Sequence, residues 1–282
     1  MAVLTRHTRA NMAPPDVTLI GYDPYHAERW KFEINDYDVI INLAGLSVAR
    51  RWTKQSKEQM MQSRLVTTRN LVKNLAKKQN HDTTLINISG VGYYGFHGDE
   101  VLDEDEPAGN DFLAGLAAQW ESAALEAQKI GIRVVLCRLG HVFSCRGGVF
   151  PQLVRLSKYH LGCPWGNGAV WTSWIHEADV SRAFTFLINN QPLSGPFNLT
   201  APNAVRNSAM MGMISEDLHI KPWLSHLPAW LLKLAAGEFS SVFLTGQKAI
   251  PRRLTESGFT FNYPLMQPAI EQLIGEGYSA KI

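Results

Sequence analysis

Through the first half of the chain short apolar runs alternate with longer amphipathic stretches, and this rhythm predicts an α/β fold with a doubly wound parallel sheet joined by helical crossovers. Composition agrees. Apolar residues make up 45% of the 282 residues and charged residues 18%, enough to bury a large core and far from the composition of a disordered chain. A third observation is a nearly continuous apolar run, Asp38 to Gly45, which reads as a strand buried on both faces.

Taken in order, Val3 to Thr5 and Val17 to Gly21 are short strands, each followed by polar sequence, and Asp38 to Gly45 is the next. Lys54 to Lys78 contains neither Gly nor Pro and repeats Met60, Leu65, Val66, Leu71, Val72 and Leu75 at helical spacing, so it is a helix. Thr84 to Ser89 is a strand that runs into Gly90, Gly92 and the Tyr93-Tyr94-Gly95 corner. An acidic, turn-rich loop spans Asp99 to Asp111, a helix spans Phe112 to Gly131, and Arg133 to Leu139 is a further strand.

Beyond Gly140 the glycines Gly147, Gly148, Gly162, Gly166 and Gly168 break the rhythm, and Trp165, Trp171 and Trp174 cluster near His160 and His176. Such a region suits a substrate lid, and equally well the packing of a core. Ser208 to Ile282 carries helical patterns at Trp230 to Ala236 and Met266 to Ile274, and the alternation Phe259-Thr260-Phe261 suggests a strand in a small cap. No internal repeat is visible. The expected division is a larger α/β region over residues 1–200 and a small C-terminal region over 201–282.

With 27 Lys and Arg against 25 Asp and Glu, the net charge is +2, and no overall field draws the chain to nucleic acid. No apolar run approaches the ~18 residues of a membrane helix. Cys137, Cys145 and Cys163 are odd in number and lack metal-site spacing, so a cytoplasmic protein without disulfides or a metal is expected. Its partner is expected to be a small-molecule substrate, and its assembly a homodimer.

In a doubly wound sheet the ligand lies beyond the carboxyl ends of the strands. The first candidates are therefore Thr5 and Arg6; Leu43, Ala44 and Gly45; Ser89 and Gly90; and the segment Leu139 to Val142. Small residues there let a ligand approach the backbone. An arginine just past a strand end, as Arg6 is, can hold a phosphate or remain a solvated surface charge.

Several motifs follow one another in register: NLAG (Asn42 to Gly45), Ser63-Arg64 with Thr67-Thr68, SGVGYYG (Ser89 to Gly95), Trp120-Glu121, CRLGHVF (Cys137 to Phe143), SWIHEADV (Ser173 to Val180), GPFNLTAP (Gly195 to Pro202) and GQKAIPRRL (Gly246 to Leu254). Together they resemble the epimerase-like family of atypical extended short-chain dehydrogenases/reductases that carries its own short C-terminal domain. The resemblance covers nearly the whole chain. It implies a Rossmann-type sheet and NADP as cofactor. Thr5, Arg6, Leu43, Ala44, Gly45, Arg64 and Val142 match the family's cofactor contacts, Arg6 as the ligand of the 2′-phosphate.

Two departures stand beside the match. Relatives begin with a strand and a G-x-x-G-x-x-G turn that seats the pyrophosphate on a helix N-terminus, whereas this sequence opens at what would be the second strand. The missing strand would be central, between the strands at Val3 and Asp38, so two edges are expected to lack a partner and NADP binding to be weakened. A start upstream of Met1, a decayed remnant, or another segment in the slot would each account for this. The second departure concerns the Tyr-x-x-x-Lys pair of active extended enzymes, whose positions are taken by Leu113 and Ala117; neither can transfer a proton. The remaining catalytic candidates are Tyr93, placed first, and Ser89, with His176 and Asp179 behind them. The expected function is an NADP-dependent oxidoreductase or epimerase acting on a sugar- or nucleotide-linked substrate, the alternatives being a non-catalytic NADP(H)-binding protein or an inactive remnant.

Overall fold

The computed structural model describes residues 1–5, 14–23, 36–78 and 82–279. Its centre is a four-stranded parallel sheet in the order β10-β6-β4-β3, formed by β3 (Val39–Asn42), β4 (Thr84–Gly90), β6 (Arg133–Leu139) and β10 (Gly195–Leu199). β1 (Ala2–Thr5) and β2 (Thr18–Gly21) make a separate parallel pair.

Side-chain alternation along the central strands builds a core on each face of the sheet. Leu85, Val134 and Leu136 pack toward α1 (Lys54–Leu75) and α2 (Phe112–Leu125) through Leu71, Leu75 and Ala124. Their neighbours Ile86, Val135 and Cys137 pack on the opposite face with Ala183 and Leu187 of α4 (Glu177–Asn189). α1 starts at a capping box: the Ser56 N–H donates to Thr53 Oγ1 and the Thr53 N–H to Ser56 Oγ, which pairs two backbone donors a helix end otherwise leaves free. α2 starts at Asp111, whose carboxylate accepts from the Leu113 and Ala114 N–H groups.

The remaining elements are short. β5 (Val101–Leu102) pairs with β12 (Lys248–Ala249), β7 (His141–Phe143) with β9 (Trp174–His176), and β8 (Trp171–Thr172) with β11 (Val205–Arg206). Helices α3 (Phe150–Lys158), α5 (Asn207–Asp217), α6 (Ala229–Ala236), α7 (Ser241–Leu244), α8 (Arg252–Glu256) and α9 (Met266–Ser279) complete the fold. Phe143, Phe150 and Trp174 share a third core with Met210 and Ile214 of α5 and Ile270 and Leu273 of α9. Residues on both sides of position 200 therefore contribute to one core.

Two expectations are corrected. The Asp38 to Gly45 run is a strand only over Val39–Asn42 and is not buried on both faces: Ile41 is 40% and Leu43 66% exposed. Among the described residues β3 pairs with β4 alone and forms the sheet edge, and no described strand lies between it and the β1–β2 pair. Phe259-Thr260-Phe261 is not a strand. Its alternation reflects packing, because the Phe259 and Phe261 rings meet edge to face and Phe259 enters the core beneath α4, while Arg182 ties down the Thr260 carbonyl.

Candidate functional site

A cleft of 370 Å³ opens at the carboxyl ends of the central strands, where a doubly wound sheet places its ligand. One wall is a single face of α2, carrying Leu113, Leu116, Ala117 and Trp120 at helical spacing. The floor is formed by Ser89 to Gly92 at the end of β4 and Leu139 to His141 at the end of β6. Trp165, Trp171, Met210 and Phe243 approach from the C-terminal half. The three tryptophans thus divide between the two readings, since Trp174 is fully buried in the core while Trp165 and Trp171 line the cleft.

At one end of the cleft the corner after β3 is fixed by a polar network. Asn42 Nδ2 donates to Thr68 Oγ1 at 2.9 Å and Asn87 Oδ1 at 2.6 Å, Trp120 Nε1 donates to the same Thr68 hydroxyl, and the Ala44 N–H donates to Asn42 Oδ1. Leu43 and Gly45 are thereby presented to the cleft, facing Arg64 from α1. The guanidinium donates to the Leu46 and Met60 carbonyls and lies 4.9 Å from the centre of the Trp120 ring. Burial lowers its pKa to about 10, which leaves it charged at neutral pH. A Cβ at Gly45 would stand 2.9 Å from Arg64 Cζ, so a larger residue there would displace the guanidinium.

The other sequence candidates separate. Thr5 ends β1 and does not line the cleft. Arg6 lies outside the described residues. Ser89 lines the cleft, and its buried hydroxyl has no hydrogen-bond partner. Tyr93 lines no part of it: its ring lies against the Arg138 guanidinium, 3.5 Å from Cζ to the ring centre, and edge-on to Tyr94. Tyr94 is fully buried, donates to Asn198 Oδ1 at 2.7 Å and accepts from Arg138 Nη1 at 3.0 Å. Burial pushes its pKa up to about 12. Val142 is not a lining residue either, because alternation along β7 turns its side chain into the core beneath the sheet while His141 and Phe143 face the cleft.

His176 and Asp179 brace the fold. His176 caps α4 by accepting from the Ala178 N–H, pairs through Nε2 with Gln272 Oε1, and stacks on Tyr263. Asp179 is fully buried and accepts from the Asn262 and Tyr263 N–H groups and from Arg182. Leu113 and Ala117, at the positions of the Tyr-x-x-x-Lys pair, both face the cleft, so the wall where a phenol and an ammonium would stand is apolar.

Two lining residues escaped the sequence reading as functional groups: His141, inside a segment noted only for its position at a strand end, and Asn207. The alternation His141, Val142, Phe143 after a buried strand was the available signal for the first. For Asn207 nothing in the local sequence distinguishes a cap from a cleft residue.

Residues 2–199 match the profile of the NAD dependent epimerase/dehydratase family, and residues 227–273 match a domain of unknown function, DUF1731. An epimerase family protein of Staphylococcus haemolyticus is 35% identical over 97% of this chain and 90% of its own length. One of Staphylococcus aureus is 34% identical over 98% and 91%. Among solved structures, a human epimerase family protein with NADPH superposes with a TM-score of 0.84 at 25% identity, covering 96% of this chain and 90% of that one. A nucleoside-diphosphate sugar epimerase from Corynebacterium glutamicum gives 0.74 at 29% identity, covering 92% and 53%. The cleft fits the ring and ribose portions of such a dinucleotide in its small residues at strand ends, the free Ser89 hydroxyl and the close Gly45–Arg64 approach. The glycine turn that relatives place after their first strand has no counterpart ahead of Leu43 in the sequence.

Proposed function

This chain belongs to the NAD dependent epimerase/dehydratase family, and on that premise we propose that it is a nicotinamide-dinucleotide-dependent oxidoreductase or epimerase acting on a small molecule held in the cleft. The observation that carries this reading is the position of the cleft at the carboxyl ends of the parallel strands, with the Ser89 hydroxyl left without a partner inside it. A buried hydroxyl in that state costs about 1–3 kcal/mol, a cost that a ligand bond recovers. Leu43, Gly45 and Arg64 would hold the cofactor at one end, with Ser89, Gly90 and Gly92 at the other. When bound, the nicotinamide supplies hydride transfer. The apolar α2 face excludes water from the reacting atoms.

NADP is the preferred form in this proposal, with Arg6 as the contact to its 2′-phosphate. The test is titration of NADPH and NADH into the full chain, followed by cofactor fluorescence. Arg6→Ala is expected to weaken NADPH binding at least tenfold and leave NADH binding unchanged; equal losses would remove the assignment. A second reading, binding without turnover, is favoured by the apolar Leu113 and Ala117. Oxidation of NADPH on addition of any carbonyl substrate would reject it.

A further inference from the structure

Resting on the function just proposed, we propose that His141 is the proton-transferring residue of the cleft, and that with Asn207 it recognises a hydroxyl or carbonyl oxygen of an uncharged, largely apolar small molecule.

The lining chemistry leads there by elimination. Among the described lining residues, Arg64 and His141 are the ionisable ones; no carboxylate, lysine, tyrosine or cysteine faces the cleft. Arg64 is engaged with two carbonyls at the Gly45 end and does not give up its proton near neutral pH. Imidazole is the group that gains and loses a proton in that range.

The placement of His141 is specified by its neighbours. Its N–H donates to the Ser173 carbonyl at 2.8 Å, and the Gly140 N–H donates to the Leu199 carbonyl. A Cβ at Gly140 would lie 2.7 Å from the Ser173 carbonyl oxygen, so only glycine brings the chain this close before it turns into β7. The imidazole has no hydrogen-bond partner among the described residues, and its accessible surface opens into the cleft. The protein walls around the ring partly desolvate it and lower its pKa, although the ring keeps an open face toward the cleft. The surrounding charges are committed elsewhere. On the adjoining strand His176 is bonded through both ring nitrogens; past the end of β7, Glu177 is paired with Ser144 and Arg146; and near Trp171, Asp99 is bonded to Arg206 and the indole, with Lys248 over the ring.

Asn207 supplies the second half. It is fully buried, its Oδ1 accepts from the Trp165 N–H at 2.8 Å and its own N–H donates to the Val170 carbonyl, while Nδ2 has no partner. An amide N–H held in this way suits an oxygen atom of a ligand. The one cationic side chain of the described lining, Arg64, stands at the Gly45 end and is assigned to the cofactor; beside His141 and Asn207 a carboxylate or phosphate would enter without a counter-charge, which sets the group they recognise as neutral.

In the oxidative direction the substrate O–H bond breaks as an imidazole N–H bond forms, and the electron pair stays on oxygen, where Asn207 Nδ2 donates to it. An oxidised nicotinamide, the co-reactant class of the proposed function, would when bound take the hydride from carbon, and the imidazolium returns its proton to water.

The test uses the histidine ring carbon–proton resonances of the full chain, which has nine histidines, with His141 assigned by its loss in His141→Gln. Cyclohexanol, cyclohexanone and cyclohexanecarboxylate are titrated as probes. The two neutral probes are expected to shift the His141 resonance saturably, the carboxylate at least tenfold more weakly. Asn207→Asp, which keeps the acceptor for Trp165 and removes the donor, should weaken cyclohexanone at least fivefold. A His141 resonance indifferent to both neutral probes, or tighter binding of the carboxylate, would overturn the proposal. NADPH fluorescence on the same samples separates the two readings: NADPH bound with His141 silent sinks this inference alone. His141 responding without NADPH binding keeps the oxygen contact and removes the redox role.

Discussion

Two neighbouring regions at the carboxyl ends of the strands treat their polar groups in opposite ways. In the first, Arg138 is 3% exposed and bonded to both carboxylate oxygens of Glu121, at 2.9 and 2.8 Å, to the Tyr94 hydroxyl and to the Glu104 carbonyl. Glu104 in turn accepts from the Asn198 and Arg253 N–H groups, and Asn198 Nδ2 donates to the Ile250 carbonyl. In the second, the cleft, Ser89 Oγ and Asn207 Nδ2 are buried without partners. Ser89 is the register partner of Arg138 on the adjacent strand, so the contrast is set within one step of the sheet. The difference teaches that the same local fold spends its polar groups on itself in one place and holds them ready in the other.

The largest effect should come from breaking the satisfied region. Glu121→Ala leaves a buried guanidinium without its carboxylate, and a loss of about 3–5 kcal/mol is expected, read by urea unfolding. A loss below about 1 kcal/mol would mean that Tyr94 and the Glu104 carbonyl suffice.

Much of this region was legible as strand and helix but not as a network. Thr84 to Ser89, Arg133 to Leu139 and the helix from Lys54 follow from runs and periodicity that any chain with buried parallel strands must show. The Glu121–Arg138 pairing joins residues from different elements and leaves no local periodic trace. The apolar run at Asp38 to Gly45 misled for a physical reason: its composition suits a strand covered on both faces, whereas at this sheet edge Ile41 and Leu43 are left exposed. Of the residues singled out by strand-end logic, Leu43, Gly45 and Ser89 line the cleft, while Ala44 between them does not, its N–H being tied to Asn42 Oδ1. Tyr93 was drawn toward the cleft by sequence proximity, whereas its ring is held by the Arg138 guanidinium, a contact made across strands.

A smaller effect sharpens the comparison from within the network. Tyr94→Phe removes bonds to Asn198 and Arg138, at an expected cost of about 1–2 kcal/mol. Tyr94 also carries a pH signature. Because burial raises its pKa to about 12 from the ordinary 10, the folded state keeps a proton that the unfolded state releases. Its contribution is therefore complete below about pH 10 and is lost as pH rises through about 12. The stability difference between the native chain and Tyr94→Phe should narrow over that window, as measured by unfolding at stepped alkaline pH.

The smallest effect decides the matter. Ser89→Ala removes a hydroxyl that has no partner, so the account predicts a stability change within about 0.5 kcal/mol of zero, or a gain. Urea unfolding of Ser89→Ala and Tyr94→Phe side by side, without ligand, tests the contrast directly. The predicted result is a clear loss for Tyr94→Phe with none for Ser89→Ala. Equal losses would contradict it, because Ser89 would then be serving the fold and would not be held free for a ligand.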